Sequence, residues 1–152
     1  MKFICDEMFK GLARWLRAAG YDTEIARDGE PDRKLIDHAR SSGRLLLTRD
    51  SKLMEFRNAS DTVLLIDCTG IDDCARKLKS ITSISWLHRP FSRCLICNTT
   101  LNKINNHENI TVPDDVRGQQ LYLCPDCQRI YWSGGHVNRM RNKLESWEYT
   151  DH

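Results

Sequence analysis

Arg44-Leu45-Leu46-Leu47-Thr48-Arg49-Asp50 sets three consecutive leucines between charged residues, with Gly43 before them and Ser51 after. A strand with one face in water alternates apolar and polar positions, whereas an unbroken apolar run this short is a strand buried on both faces. Thr62–Asp67, reading TVLLID, has the same character, and Lys2–Cys5 is a shorter apolar run ending at Asp6. Thr23–Ala26 completes the set of strands. The segments between them read as helices. Met8, Leu12, Trp15, Leu16 and Ala19 form one apolar stripe closed by Gly20, while Leu35, Ile36 and Ala39 follow the Pro31-Asp32 opening and stop at Gly43. Asp50 and Ser51 start a short helix through Phe56, and Asp72–Ile81 turns Cys74, Leu78 and Ile81 inward. Strands alternating with helices predict an α/β fold, its parallel sheet covered on both sides.

In such sheets ligands bind at the carboxyl ends of the strands. Asp6 stands at the end of the first strand, Asp50 two residues past the third, Asp67 at the end of the fourth, and Asp32 at the head of the helix after the second. Carboxylates gathered on one rim repel unless a cation neutralises them. Mg²⁺ or Mn²⁺ suits oxygen donors and leaves room for water and phosphate, the arrangement for metal-assisted phosphodiester hydrolysis. The competing roles are structural: Asp32 and Asp50 as helix caps, Asp67 as a turn residue. Asp6 has no evident structural task in the sequence.

Lys10, Arg14 and Arg17 recur at helical spacing away from the apolar stripe, and Arg49 immediately precedes Asp50. Cations beside an acidic rim fit a polyanionic substrate, the acids holding metal and the arginines holding flanking phosphates. Net charge is only +2, and from residue 91 onward seven Lys/Arg face seven Asp/Glu, so any attraction to phosphate is local. No G-x-G-x-x-G follows the first strand, no G-x-x-x-x-G-K-[ST] occurs, and neither a serine elbow nor a His pair at i, i+4 is present. These absences argue against dinucleotide folds, P-loop NTPases, serine hydrolases and catalytic zinc.

Two Cys-x-x-Cys pairs, Cys94/Cys97 and Cys124/Cys127, stand 26 residues apart. Four thiolates in two knuckles can close a tetrahedral structural Zn²⁺ site, and the insert from Asn98 to Leu123 reads as hairpin strands with polar turns, a zinc ribbon. Cys5, Cys68 and Cys74 are expected free and buried. Seven cysteines with no signal peptide ahead of them fit a reducing compartment and a cytoplasmic location. No apolar run reaches the roughly 20 residues a bilayer requires, so no membrane partner is expected. Tyr122, Tyr131 and Trp132 sit beside the knuckles, with His136, Arg139, Arg141 and Lys143 following. Base stacking is one role for the aromatics; docking the ribbon onto the main domain is the other.

Cys5-Asp6-Glu7-Met8, Leu12-Ala13-Arg14-Trp15-Leu16-Arg17, Gly20-Tyr21-Asp22 and Leu46-Leu47-Thr48-Arg49-Asp50 occur in order, followed by Arg93-Cys94, Cys97-Asn98, Cys124-Pro125 and Tyr131-Trp132. Over about residues 2–140 the chain resembles the PIN-like ribonuclease domain with a C-terminal zinc ribbon, the Mut-seven C-terminal RNase family. The resemblance implies a PIN-like α/β/α sandwich with a mainly parallel sheet and a small zinc-ribbon domain. It also implies an Mg²⁺- or Mn²⁺-dependent ribonuclease site, with Asp6, Asp32 and Asp50 matching the family's acids and Asp67 matching less closely. The chain departs from the family at Ser133-Gly134-Gly135-His136, where Gly-Ser-His is usual, and at Val137, where an aromatic is common. The expected division is a nuclease domain over 1–82, a linker over 83–92, the ribbon over 93–136 and a basic helix or tail over 137–152. RNA, single-stranded or structured, is the expected partner. The alternative is a non-catalytic RNA- or protein-binding module, which would gain nothing from keeping its acids.

Overall fold

A computed structural model of the chain describes residues 1–105, 110–112, 114–116 and 118–149. Four parallel strands form the main sheet: β1 (Phe3–Cys5), β2 (Thr23–Ile25), β3 (Leu45–Thr48) and β4 (Val63–Leu65), in spatial order β2-β1-β3-β4. Leu46 and Leu47 are both fully buried and belong to different cores. Leu47, Phe3 and Cys5 face α1 (Lys10–Ala18) and α3 (Gly70–Ile81); Ile4, Leu46 and Val63 face α2 (Asp32–Ser41) and the turn at Leu53. The leucine run therefore has helices on both sides, which makes three layers.

Beyond residue 82 the organisation differs from expectation. The stretch expected to be a linker is packed against the sheet domain: Trp86 is fully buried and its Nε1 donates to the Ala75 carbonyl at 3.1 Å. The N–H groups of Arg89 and Phe91 bond to the carbonyls of Ala19 and Ala18 at 2.8 and 2.7 Å. Gly20, at φ +101°, permits this approach, since a Cβ there would stand 2.5 Å from the Arg89 carbonyl oxygen. The terminal helix α4 (Gly135–Glu148) also joins the first core through Leu144 and Trp147. Trp147 packs edge-on against Trp15 and Trp86, with ring centroids 4.8 and 5.1 Å away. Residues 83–92 and α4 thus complete the core begun by residues 1–82, because without them the outer face of α1 and α3 would expose aromatic and leucine side chains.

The ribbon is a three-stranded antiparallel sheet, β5 (Asn102–Ile104), β6 (Leu121–Leu123) and β7 (Ile130–Tyr131). The expected hairpin across the insert is present as the β5–β6 pair, while part of its turn lies outside the described residues. No helix among the described residues is long and apolar enough to cross a membrane.

The ribbon docks through partly buried polar contacts. Asp22 Oδ1 accepts from Arg44 Nη1 at 2.8 Å and from Asn98 Nδ2 at 2.7 Å, and Asn98 Oδ1 accepts the Thr23 N–H at 2.9 Å. Burial alone would raise the Asp22 pKa, but the Arg44 guanidinium and the Asn98 amide outweigh it and hold the carboxyl below its ordinary range. A carboxyl depressed in the folded state stabilises fully above its unfolded pKa, near 4, and loses that contribution as pH falls through the folded value. Stability attributable to Asp22 should be constant from pH 7 to about 5 and decline below about 4. Urea melts of the parent and Asp22→Asn across this range test it. The difference between the two proteins, expected near 2 kcal/mol at neutral pH, should shrink in acid, and a pH-independent difference would exclude the carboxylate.

Candidate functional site

The carboxyl edge of the sheet is built around Thr48. β1 and β3 run in register, Cys5 beside Leu47, and the Asp6 N–H continues the ladder to the Leu47 carbonyl at 3.2 Å. The next residue on β3 is therefore opposite Asp6. Thr48 is fully buried, and its hydroxyl donates to Asp6 Oδ2 while accepting the Asp50 N–H at 2.9 Å. One hydroxyl thus fixes two acidic segments that lie 44 residues apart. Thr48 was not among the residues singled out for chemistry; its signal was a polar residue closing an otherwise apolar run.

The capping roles are redistributed. Asp6 Oδ1 accepts the Met8 N–H at 3.1 Å and caps a 3-10 turn at Glu7–Phe9, so it has the structural task the sequence did not reveal. Asp50 caps the turn at Ser51–Glu55 through the Lys52 N–H at 3.0 Å, as the capping alternative anticipated. Asp32 is the first residue of α2 with Pro31 at the cap position, and no side-chain cap bond forms there. Asp67 lies exposed two residues past β4, its backbone carbonyl accepting from Lys77. Among the described residues, the only group of three or more possible metal ligands with donor atoms within 4.8 Å of one another is Cys94, Cys97, Cys124 and Cys127. The structure ties Asp6 to Asp50 and does not draw Asp32 or Asp67 into so tight a group.

Of the four expected phosphate ligands, Arg17 is a correction. It is buried, with Nε donating to the Thr23 carbonyl at 2.8 Å and Nη1 to the carbonyls of Leu95 and Ile96 at 2.9 and 3.0 Å. Its position on α1 aims it beneath the first zinc knuckle, so it clamps the ribbon to the sheet domain. Lys10 forms long, exposed ion pairs with Glu7 and Asp28 at 3.7 and 3.8 Å, which contribute little. Arg14 is exposed and unpaired among the described residues. Arg49 lies over the Phe9 ring at 4.9 Å and its Nη2 approaches Cys74 Sγ at 3.6 Å. Cys5 is free and buried as expected, its thiol pushed far up by burial. Cys68 and Cys74, also expected free, instead form a disulfide, Cα–Cα 5.0 Å, joining the loop after β4 to α3. They stand six positions apart in the sequence, and the turn into α3 brings both inward.

The four remaining cysteines occupy two equivalent knuckles. The residue after each pair, Asn98 or Gln128, has positive φ, and its N–H returns to the carbonyl of the first cysteine at 2.9 Å in both cases. Cys94 and Cys127 sulfurs are 3.7 Å apart, close to the edge of about 3.8 Å for a tetrahedron with Zn–S near 2.3 Å. The Arg129 N–H pushes the Cys127 pKa down to about 6, whereas the hydrogen bond shared with Cys127 pushes Cys97 up to about 12. Crowded thiols of this kind ionise together only around a soft cation, and the donor set can hold one zinc. The Tyr131 hydroxyl meets Cys94 Sγ at 3.0 Å, which assigns this aromatic to supporting the site.

The family model of the Mut7-C RNAse domain matches residues 1–144. The human "Exonuclease mut-7 homolog" is 32% identical over 101 residues, which cover 64% of this chain and 12% of that protein. The chain thus corresponds to a small part of its curated relative. No solved structure matches. With the family model spanning the sheet domain, the ribbon and most of α4, the chain belongs to the Mut7-C RNAse domain family.

Proposed function

We propose that the chain is a PIN-like, metal-dependent ribonuclease that hydrolyses RNA phosphodiester bonds at the carboxyl edge of its parallel sheet. The observation that carries this reading is the Thr48 hydroxyl, which binds Asp6 and orders Asp50 at that edge. Two carboxylates on neighbouring segments are a sufficient protein contribution for Mg²⁺ or Mn²⁺, which keeps several waters and takes its remaining oxygens from phosphate. Asp6 and Asp50 would hold the ion, with Asp32 and Asp67 on segments leaving the same edge as further candidates. When bound, the ion supplies activation of water and neutralisation of charge on the attacked phosphate. The protein's own part is to fix both carboxylates before substrate arrives, and to offer Arg49 and Arg14 to the flanking phosphates. Arg49 is steadied over Phe9, so its charge reaches the edge at low entropic cost.

Cleavage of labelled single-stranded RNA by zinc-loaded protein, with Mn²⁺ or Mg²⁺ omitted and then restored, tests this reading. Cutting should depend on the added ion, and metal-independent cutting or none under any ion overturns it. Labels at the 5′ and 3′ ends show whether attack proceeds from an end, as the human relative's name suggests for that protein.

A further inference from the structure

The chemistry at the sheet edge leaves unused an aromatic cleft between the ribbon and α4. Phe91, Leu95, Tyr122, Trp132, Val137 and Met140 wall it, with His136 at its mouth. Tyr122 is 36% exposed and Trp132 half-buried, and the half-buried Tyr131 lines the same cleft while its hydroxyl serves Cys94.

The rim is cationic. Residues 135–143 contain Arg139 and Arg141 and no carboxylate, while Lys143 is engaged in an ion pair with Asp72 at 2.8 Å. Arg141 lies over the Phe91 ring at 5.1 Å. A Cβ on Gly135 would stand 3.3 Å from Arg139 Nη1, so that guanidinium folds back over the turn carrying His136 and Val137. An aromatic floor with arginines at its edge suits a base and its adjoining phosphates; an apolar peptide would meet uncompensated positive charge.

The acidic edge and the cleft lie towards opposite ends of α1. α1 begins just after the turn capped by Asp6 and ends where Arg17 grips the carbonyl of Leu95, whose side chain lines the cleft. Lys10 and Arg14 stand exposed one turn apart along the way. Nine residues of helix cover about 14 Å, a distance that a few nucleotides of unpaired strand span. We propose that this cleft binds one unpaired nucleobase of a single-stranded RNA whose backbone follows α1 to the acidic edge. Only the second half of that statement rests on the nuclease reading.

The test is fluorescence anisotropy with a labelled twelve-nucleotide oligoadenylate RNA and an abasic strand of the same backbone, using zinc-loaded protein without added Mg²⁺ or Mn²⁺. Tyr122→Ala should bind the base-bearing strand about tenfold more weakly, Tyr122→Phe should stay within about twofold of the parent, and all three should bind the abasic strand equally. Equal binding of the base-bearing strand by all three overturns the proposal. So does an equal loss on both strands, which would assign Tyr122 to the fold or to backbone contact. Val137→Asp places an anion in the cleft from α4 rather than the ribbon and should reproduce the loss if Tyr122→Ala sheds its zinc; unchanged binding there counts against the site. Metal-dependent cleavage combined with indifference to Tyr122 and Val137 overturns the cleft alone. Base-dependent binding through Tyr122 without cleavage under any ion overturns the nuclease reading alone.

Discussion

Asp6→Asn should abolish RNA cleavage, by a thousandfold or more on the order expected for loss of a charged group at the reacting phosphate, while the protein stays folded. The structure makes this separation sharper than a generic acid replacement would be. Asparagine keeps an oxygen that can accept the Met8 N–H, so the 3-10 turn remains capped. Its amide can donate to the Thr48 hydroxyl, which retains lone pairs for both that contact and the Asp50 N–H. The shape and the capping bond are preserved, the Thr48 contact reverses direction so that its hydroxyl no longer has the Asp6 carboxylate as acceptor, and the negative charge is lost. Stability should therefore fall by only about 1 kcal/mol, the lost acceptor of the Thr48 hydroxyl being partly offset in metal-free protein by relief of like-charge repulsion at the edge. If capping were the only role of Asp6, cleavage would persist in Asp6→Asn and fall only in Asp6→Ala, together with stability. Rates and thermal melts of both variants, measured side by side with and without Mn²⁺, distinguish these outcomes.

The layered α/β core was legible because it depends on periodicity. Three successive leucines require helices on both faces of their strand, and Leu46 and Leu47 occupy the two cores that this implies. The zinc knuckles were legible because ligand spacing is local. Contacts between distant segments were not. Arg17 shares helical spacing with Lys10 and Arg14, and nothing in that spacing distinguishes a phosphate ligand from a clamp on two carbonyls of the knuckle 78 residues away. Trp86 and Trp147 gave no periodic pattern of their own, yet they complete the first core. Asp6 and Asp32 exchanged expected roles for a related reason: whether an aspartate caps depends on where the first turn begins, and Pro31 takes that position in α2. The Cys68–Cys74 bridge depends on how tightly the chain turns into α3, which composition does not reveal.

Loss of zinc should destabilise the whole molecule and not the ribbon alone. In Cys97→Ser, the four-sulfur site loses a ligand, and zinc content should fall from one ion per chain towards zero. Metal binding in such a site is itself folding free energy, roughly 10 kcal/mol or more, so the knuckles should open. Were the ribbon an independent appendage, the α/β core would melt unchanged. Instead, the first knuckle presents the Leu95 and Ile96 carbonyls to buried Arg17, and the Asn98 side chain to Asp22 and the Thr23 N–H. Opening that knuckle strands a guanidinium beneath the sheet domain with one of its three carbonyl partners left, at Thr23. A buried charge deprived of its acceptors costs several kcal/mol, so the melting temperature of the core should drop by on the order of 10 °C. Calorimetry should show one transition in the zinc-loaded parent and a lower one in Cys97→Ser. Arg17→Met identifies the cause: it should destabilise the parent strongly but Cys97→Ser much less, because the second change has already removed the acceptors the arginine serves. Additive losses would mean that Arg17 and the knuckle act independently, and would remove the clamp as the reason the two halves fold together.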